Sequence, residues 1–402
     1  MAQAEAIRCF GLTSRYSVSH VRQDVLMGRT LPTFVKLLLM PGGMIGLPLL
    51  GFLMSGKALD PLFEFPPSTV TIIHAPFSWT VFGLFSLIEL GLFAGLRFLL
   101  FGGSPSHATP SSAPPRIRFP WWGWVSLTSL VLFWILAWTR FTGFADFQGL
   151  TFTPLWISFI VVLNALTYRR TGHCFVVDHP RFFIALFLWS AVFWWYFEYL
   201  NRFVQNWRYV GLGPMSAAYY AVHSTIAFST VLPAIFSACD FLRTFPFLTN
   251  RAWRRPWKSS RPTRLSWTLL FFSSVCLIGL GIWPDYFFPF LWVAPLLFML
   301  AIQMRWGKSM LVLALTKGQW QIVTIPACAA LLCGFFWEMW NFHSAAKWVY
   351  AIPFVDRFHI FEMPLLGYAG YVPFGLECVL AVEVFANGRH RFAFMGWADD
   401  RG

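Results

Sequence analysis

Trp195-Tyr196-Phe197-Glu198-Tyr199-Leu200-Asn201, followed by Trp207-Arg208-Tyr209, has a second version further along the chain. That version is Phe335-Phe336-Trp337-Glu338-Met339-Trp340-Asn341, followed by Trp348-Val349-Tyr350. Both read aromatic-aromatic-aromatic-Glu-x-x-Asn, with Trp-x-Tyr starting six or seven residues after the Asn. Upstream, Leu155-Trp156 and Arg170-x-Gly172 match Leu291-Trp292 and Arg305-x-Gly307. The reading is an internal duplication, with residues 116–243 and 264–388 as two copies of a four-helix unit. An even number of spans per copy keeps both in one orientation, so the repeat is parallel rather than inverted.

The composition sets the solvent. Of 402 residues, 57% are hydrophobic and 12% charged, against about 25% charged in soluble domains. That excludes a soluble enzyme, and the net charge of +13 has a better explanation than nucleic acid. We expect an all-α polytopic membrane protein. A helix needs about 20 apolar residues to span the bilayer, and ten stretches qualify or nearly do: 32–54, 76–101, 119–139, 150–167, 182–200, 215–240, 265–283, 286–303, 318–340 and 363–385. The eighth and tenth are the weakest. Residues 1–101 then form an N-terminal segment with two spans, and 102–115 a flexible Gly/Ser/Pro linker. The basic loop 244–263 separates the copies, and 389–402 is a tail.

With both termini cytoplasmic, all but six of the 30 Lys and Arg fall on the inner side. The exceptions are Lys57, Arg140, Arg202, Arg208, Lys347 and Arg357. This bias predicts an inner-membrane protein whose basic face meets anionic lipid. No apolar core with a small-residue cleavage site opens the chain, so we expect no removed signal peptide. The seven cysteines form no C-x-x-C pair and suggest neither disulfide nor cluster.

Polar residues inside apolar spans are scarce, which makes them candidates. Glu198, Asn201, Glu338 and Asn341 end outward-running helices, with Glu and Asn on one helix face. A carboxylate there opposes the helix dipole and asks for a partner. Arg202 can serve Glu198, and Lys347 or His343 can serve Glu338. Glu89, Glu377 and Glu383 lie within spans, and Asp240 sits at an inner helix end. Trp195, Trp207 and Tyr209 in the first motif, and Trp337, Trp340, Trp348 and Tyr350 in the second, are candidate substrate-binding walls, because ring faces stabilise cations. Packing and interfacial belts explain aromatics equally well. The polar loop 341–362 shows no metal-ligand spacing, and reads as solvated and ion-paired.

The run Trp337-Glu338-Met339-Trp340-Asn341, Trp348-Val349-Tyr350, then Gly370-Tyr371-Val372-Pro373-Phe374-Gly375-Leu376-Glu377 resembles the lycopene cyclase domain of bacterial heterodimeric and fungal carotenoid cyclases. The resemblance covers mainly residues 335–385. It implies acid-initiated chemistry on an apolar isoprenoid, with Glu377 and Glu338 as the acids and no cofactor. In this chain a single Glu follows Pro373, and no second Pro-Glu motif follows Tyr209. Glu338 and Glu377 can meet only if residues 363–372 form a bent or re-entrant piece.

Two functions stay open at this point. One is a membrane enzyme that cyclises, isomerises or hydrates an isoprenoid, with Glu198 and Asn201 as pseudo-symmetric partners of the acids. The other is a proton-coupled transporter of an organic cation or lipid, or a non-catalytic subunit of a membrane complex. Membrane lipid is the expected surrounding partner, and no protein partner is indicated.

Overall fold

Serines, prolines and a glycine mark where the apolar runs become helices. In the computed structural model, Ser78, Ser216 and Ser309 sit in extended backbone, and their side chains accept the N–H groups of Val81, Tyr219 and Val312. Each satisfies one of the donors that a helix start leaves open. Pro180 and Pro262 open two further helices, where a missing N–H costs nothing. Gly172 ends another in left-handed backbone at φ 80°, which a residue without Cβ adopts freely. The structure describes residues 33–67, 72–105, 117–213, 215–249, 251–252, 256–257, 259–306 and 309–386.

The main helices are α1 (Thr33–Met54), α2 (Trp79–Phe101), α3 (Trp121–Trp138), α4 (Phe152–Thr171), α5 (Pro180–Val204), α6 (Ala217–Phe228), α7 (Val231–Arg243) and α8 (Pro262–Ile282). After them come α9 (Phe290–Trp306), α10 (Met310–Thr316), α11 (Gln321–Phe342) and α12 (Tyr371–Phe385). Two short strands, β1 (Trp207–Val210) and β2 (Lys347–Tyr350), pair antiparallel.

Among the described residues, eight helical segments are long and apolar enough to cross a membrane, or nine if α9 and α10, bent by 77°, form one span. The chain is therefore an all-helical, multi-pass membrane protein. Two of the ten stretches read from the sequence fall short by this measure. The first is α1, a helix of 22 residues with Pro41 and Pro48 inside it, of which the fully described part, Leu38–Met54, is apolar. The eighth, 286–303, is met by the 17-residue α9, which passes only together with α10. The tenth is bent at its start: Met363–Pro364 pairs with His359–Ile360, Leu365–Gly370 winds as a 3-10 helix, and α12 begins at Tyr371.

Arg8 to Arg29, residues 106–115 of the linker, Arg254, Arg255 and Lys258 of the basic loop, Gly307 and the tail beyond residue 386 lie outside the described residues. The near end of the linker is not a free tether, because Ser104–Pro105 pairs with Arg251–Ala252 of the basic loop.

The interior is built mainly by α4, α5, α7, α9, α11 and α12, whereas α2 and α3 stay largely uncovered. In lipid, exposed apolar side chains cost nothing, so helix association rests on close approach at small residues. A Cβ on Gly51 of α1 would lie 2.0 Å from the Ile278 carbonyl oxygen of α8. One on Gly281 would lie 2.3 Å from both the Pro48 oxygen and the Phe52 nitrogen. The two backbones touch, and α1 is held against α8. We predict that Gly281→Leu forces them apart at a cost of about 1–3 kcal/mol, seen as a lower melting temperature of the detergent-solubilised protein. An unchanged melting temperature would refute the contact.

Candidate functional site

Each Asn of the repeated motif holds the strand that follows it. Asn201 Nδ2 donates to the Trp207 carbonyl at 2.7 Å, and the Trp207 N–H donates to Asn201 Oδ1 at 3.4 Å. Asn341 does the same with Trp348, at 2.7 and 2.9 Å. A buried amide engaged through both its oxygen and its nitrogen fixes the strand's register on the helix end. The ribbon joins the two strands with Trp207 opposite Tyr350, Arg208 opposite Val349 and Tyr209 opposite Trp348.

With the strands fixed, the Trp-x-Tyr side chains reach back to the glutamates. Glu198 Oε1 accepts from Trp194 Nε1 at 3.1 Å, Trp207 Nε1 at 3.1 Å and the Tyr209 hydroxyl at 2.7 Å. Glu338 Oε1 accepts from the Tyr350 and Tyr371 hydroxyls, each at 2.8 Å. Trp348 Nε1 donates to the Tyr350 oxygen at 2.9 Å. Burial first, and then the adjacent glutamate, hold the Tyr209 and Tyr350 phenols well above their usual range, so both keep their protons and donate. For an ionised carboxylate the helix dipole costs about 0.3–1 kcal/mol at this end. Hydrogen bonds to a charged group contribute about 1.5–3 kcal/mol each, so the donors outweigh the dipole.

Four residues before each glutamate the motifs differ in a compensating way. The first has Trp194, which supplies a donor, and the second has Gly334. A Cβ on Gly334 would fall 2.5 Å from the Tyr371 ring. Tyr371 occupies the space a larger residue would fill, and its hydroxyl makes the bond to Glu338. Trp194's direct bond to Glu198 and the part played by Tyr371 were not anticipated from the sequence. The available signal was the glycine aligned with Trp194, with Gly370-Tyr371 downstream.

The matched tryptophans are exchanged across the molecule. Trp156 lies against Trp337 with ring centroids 4.8 Å apart, and Trp292 stacks on Phe197 at 5.2 Å and on Trp207 at 5.9 Å. Phe374 joins the two aromatic clusters, touching Trp194, Phe197, Trp292 and Trp337.

Other sequence expectations are corrected. Arg202 forms no ion pair with Glu198; its Nη1 donates to the Glu64 carbonyl at 2.6 Å. Lys347 pairs with Glu362 rather than Glu338, and His343 packs against Trp138 and Phe342. Trp195 Nε1 turns to Thr225 Oγ1 at 3.0 Å, away from Glu198. Trp340 packs among Trp134, Trp156, Phe159 and Phe336 as a core residue. The residue that α12 delivers to Glu338 is Tyr371, while Glu377 lies about 9 Å further along the helix at 1.5 Å per residue. Glu377 is fully buried close to the Leu296 backbone, with neither oxygen in a well-formed hydrogen bond. Among the described residues, the nearby Tyr196 hydroxyl also has no partner. Glu383 accepts the Met310 N–H at 2.6 Å at the start of α10.

The two glutamates differ in access. Glu338 is 0% exposed and Glu198 is 6% exposed. Glu198 lines a cavity of about 160 Å³, shared with Pro61, Pro66, Arg202, Trp207, Arg208 and Tyr220. Among the described residues, no group of three His, Cys, Asp or Glu side chains is placed to hold a metal ion. Comparison with protein-family models, with curated proteins and with solved structures gave no match.

The glycine-for-tryptophan exchange predicts a coupling. Gly334→Ala puts a methyl into the Tyr371 ring and should cost about 1–3 kcal/mol by overpacking. Tyr371→Ala removes the obstacle, so adding Gly334→Ala to it should carry little further cost. Melting curves of the four proteins measure this, and additive losses would rule the exchange out.

Proposed function

We propose that the chain is a membrane enzyme that transfers a proton to an isoprenoid lipid at the cavity lined by Glu198. The reading takes residues 116–243 and 264–388 as two parallel four-helix repeats in the inner membrane. Both termini are then cytoplasmic, and the ribbon end of the bundle faces outward.

One observation carries it. Glu198 is a buried acid whose three donors all fall on Oε1, beside a cavity that Trp207, Tyr209 and Tyr220 help to line. Oε2 is the oxygen left to deliver a proton to an alkene carbon. The carbocation so formed would lie near the Trp207 and Tyr220 rings, each stabilising it by about 0.5–2 kcal/mol. Loss of a proton to the same carboxylate completes a cyclisation or isomerisation, and capture of water, whose extra proton returns to that carboxylate, completes a hydration. The resemblance of residues 335–385 to the lycopene cyclase domain agrees with this class of chemistry. The assignment of the acid differs from the one that resemblance implies: sealed Glu338 becomes the structural counterpart of Glu198.

A second reading, proton-coupled movement of a lipid or organic cation, draws support from Glu377 and Tyr196. Both are ionisable groups in the bundle interior without well-formed hydrogen bonds, as carriers along a membrane path often are.

Expression in a host that accumulates linear isoprenoids, with membrane extracts resolved by liquid chromatography and mass spectrometry, tests the proposal. The wild type should yield a new product, Glu198→Gln should abolish it with the protein still in the membrane, and Glu338→Gln should retain it. Undiminished product with Glu198→Gln would overturn the assignment. Uptake by proteoliposomes that follows a proton gradient, without any new product, would favour transport.

A further inference from the structure

The cavity in front of Glu198 is lined by two of the six basic residues that the charge bias leaves on the outer side, Arg202 and Arg208. Arg202 stands on the last turn of α5 and uses one N–H on the Glu64 carbonyl. Arg208 lies in β1 between Trp207 and Tyr209. Its neighbours Trp207 and Tyr209 donate to Glu198, and Arg208 lines the same cavity beside them. Among the described residues, no hydrogen bond or ion pair engages the Arg208 guanidinium. Among the described residues, Glu198 forms no ion pair with either arginine, and its Oε1 is held by Trp194, Trp207 and Tyr209. Glu64 offers Arg202 its backbone oxygen, and its side chain is solvent-exposed.

Two guanidinium groups with unused donors beside an apolar wall of Pro61, Pro66, Pro67 and Ile72 suit a phosphate monoester on a hydrocarbon chain. A planar fork of N–H donors matches phosphate oxygens in pairs. The size agrees: pockets that enclose a whole drug-sized ligand hold about 300–1,000 Å³, so about 160 Å³ accommodates the headgroup with the first alkene beside it, within reach of Glu198, and leaves the rest of the chain in the bilayer.

We propose that this cavity binds the phosphate headgroup of a prenyl phosphate, with Arg202 and Arg208 as its ligands. The inference rests on the reading that the Glu198 cavity is the substrate site, and it names the class of substrate.

Binding to the full-length protein in detergent, followed by tryptophan fluorescence, tests it with three probes: geranylgeranyl monophosphate, geranylgeraniol and inorganic phosphate. The phosphate ester should bind saturably and at least about tenfold more tightly than either other probe, a difference worth about 1.4 kcal/mol. Arg202→Gln and Arg208→Gln should each weaken the ester by about tenfold and leave the alcohol unchanged, with melting temperatures as a check on folding. Arg202→Lys, which keeps the charge but loses the fork, should fall between. Equal binding of ester and alcohol by the wild type would overturn the proposal without recourse to any variant. Inorganic phosphate binding as tightly as the ester would replace the lipid with a soluble anion. Phosphate-independent binding alongside a product that still requires Glu198 would remove this inference and leave the enzyme reading standing. Arginine-dependent binding without any product would do the reverse.

Discussion

A carboxyl group buried near the C-terminal end of a membrane helix must find hydrogen-bond donors, and the backbone there presents only acceptors. Here the donors come from aromatic side chains, which can be buried in quantity because their rings are apolar and only one edge atom is polar. Placing those edges requires the strand after each helix to be held in register, which is what Asn201 and Asn341 do. The ribbon, the exchanged tryptophans and the central position of Phe374 all follow from walling in two such groups at once. An unpaired polar group in this setting would cost several kcal/mol, comparable with much of a domain's net stability of about 5–15 kcal/mol.

The two glutamate sites show how one arrangement can diverge without losing its hydrogen bonds. Trp194 and Tyr371 come from different helices and reach matched acids from different directions. Nearly the same donor set therefore encloses an acid at the edge of a cavity in one site and a fully sealed acid in the other. The sealed site braces the ribbon on which the open one depends. Both acids leave Oε2 outside the donor set: that of Glu338 is buried without a partner, whereas Glu198 lies at a cavity, where an acid can exchange a proton.

Much of this was legible in the sequence because the chain is so apolar. Against that background Glu198, Asn201, Glu338 and Asn341 stood out, but the Trp-x-Tyr residues that follow each pair were read as substrate-binding walls, whereas Trp207, Tyr209 and Tyr350 donate to the glutamates and Trp348 donates to Tyr350. What was not legible depends on which helices become neighbours. Trp340, two residues after Glu338, projects elsewhere around the helix, since residues two apart do not share a face, and Trp195, three before Glu198, turns its Nε1 to Thr225 instead. Glu377 drew attention as an acid after Gly370-Tyr371-Val372-Pro373, yet the contact with Glu338 belongs to the phenol at the start of α12. The break between α9 and α10 was not foreseen, because apolar composition says little about where the backbone bends.

The exchange of tryptophans also has a meaning for the order of synthesis. Glu198 and its three donors are all complete by residue 209, yet the rings that wall them in include Trp292 and Phe374. A growing chain therefore threads its first half into the bilayer with an acid whose enclosure will be made more than a hundred residues later. Until α12 arrives, that half lacks the Phe374 ring that the finished protein packs against Trp194 and Phe197. Contacts so distant in sequence are slow to form, which makes the early spans natural clients for whatever shelters half-made membrane proteins.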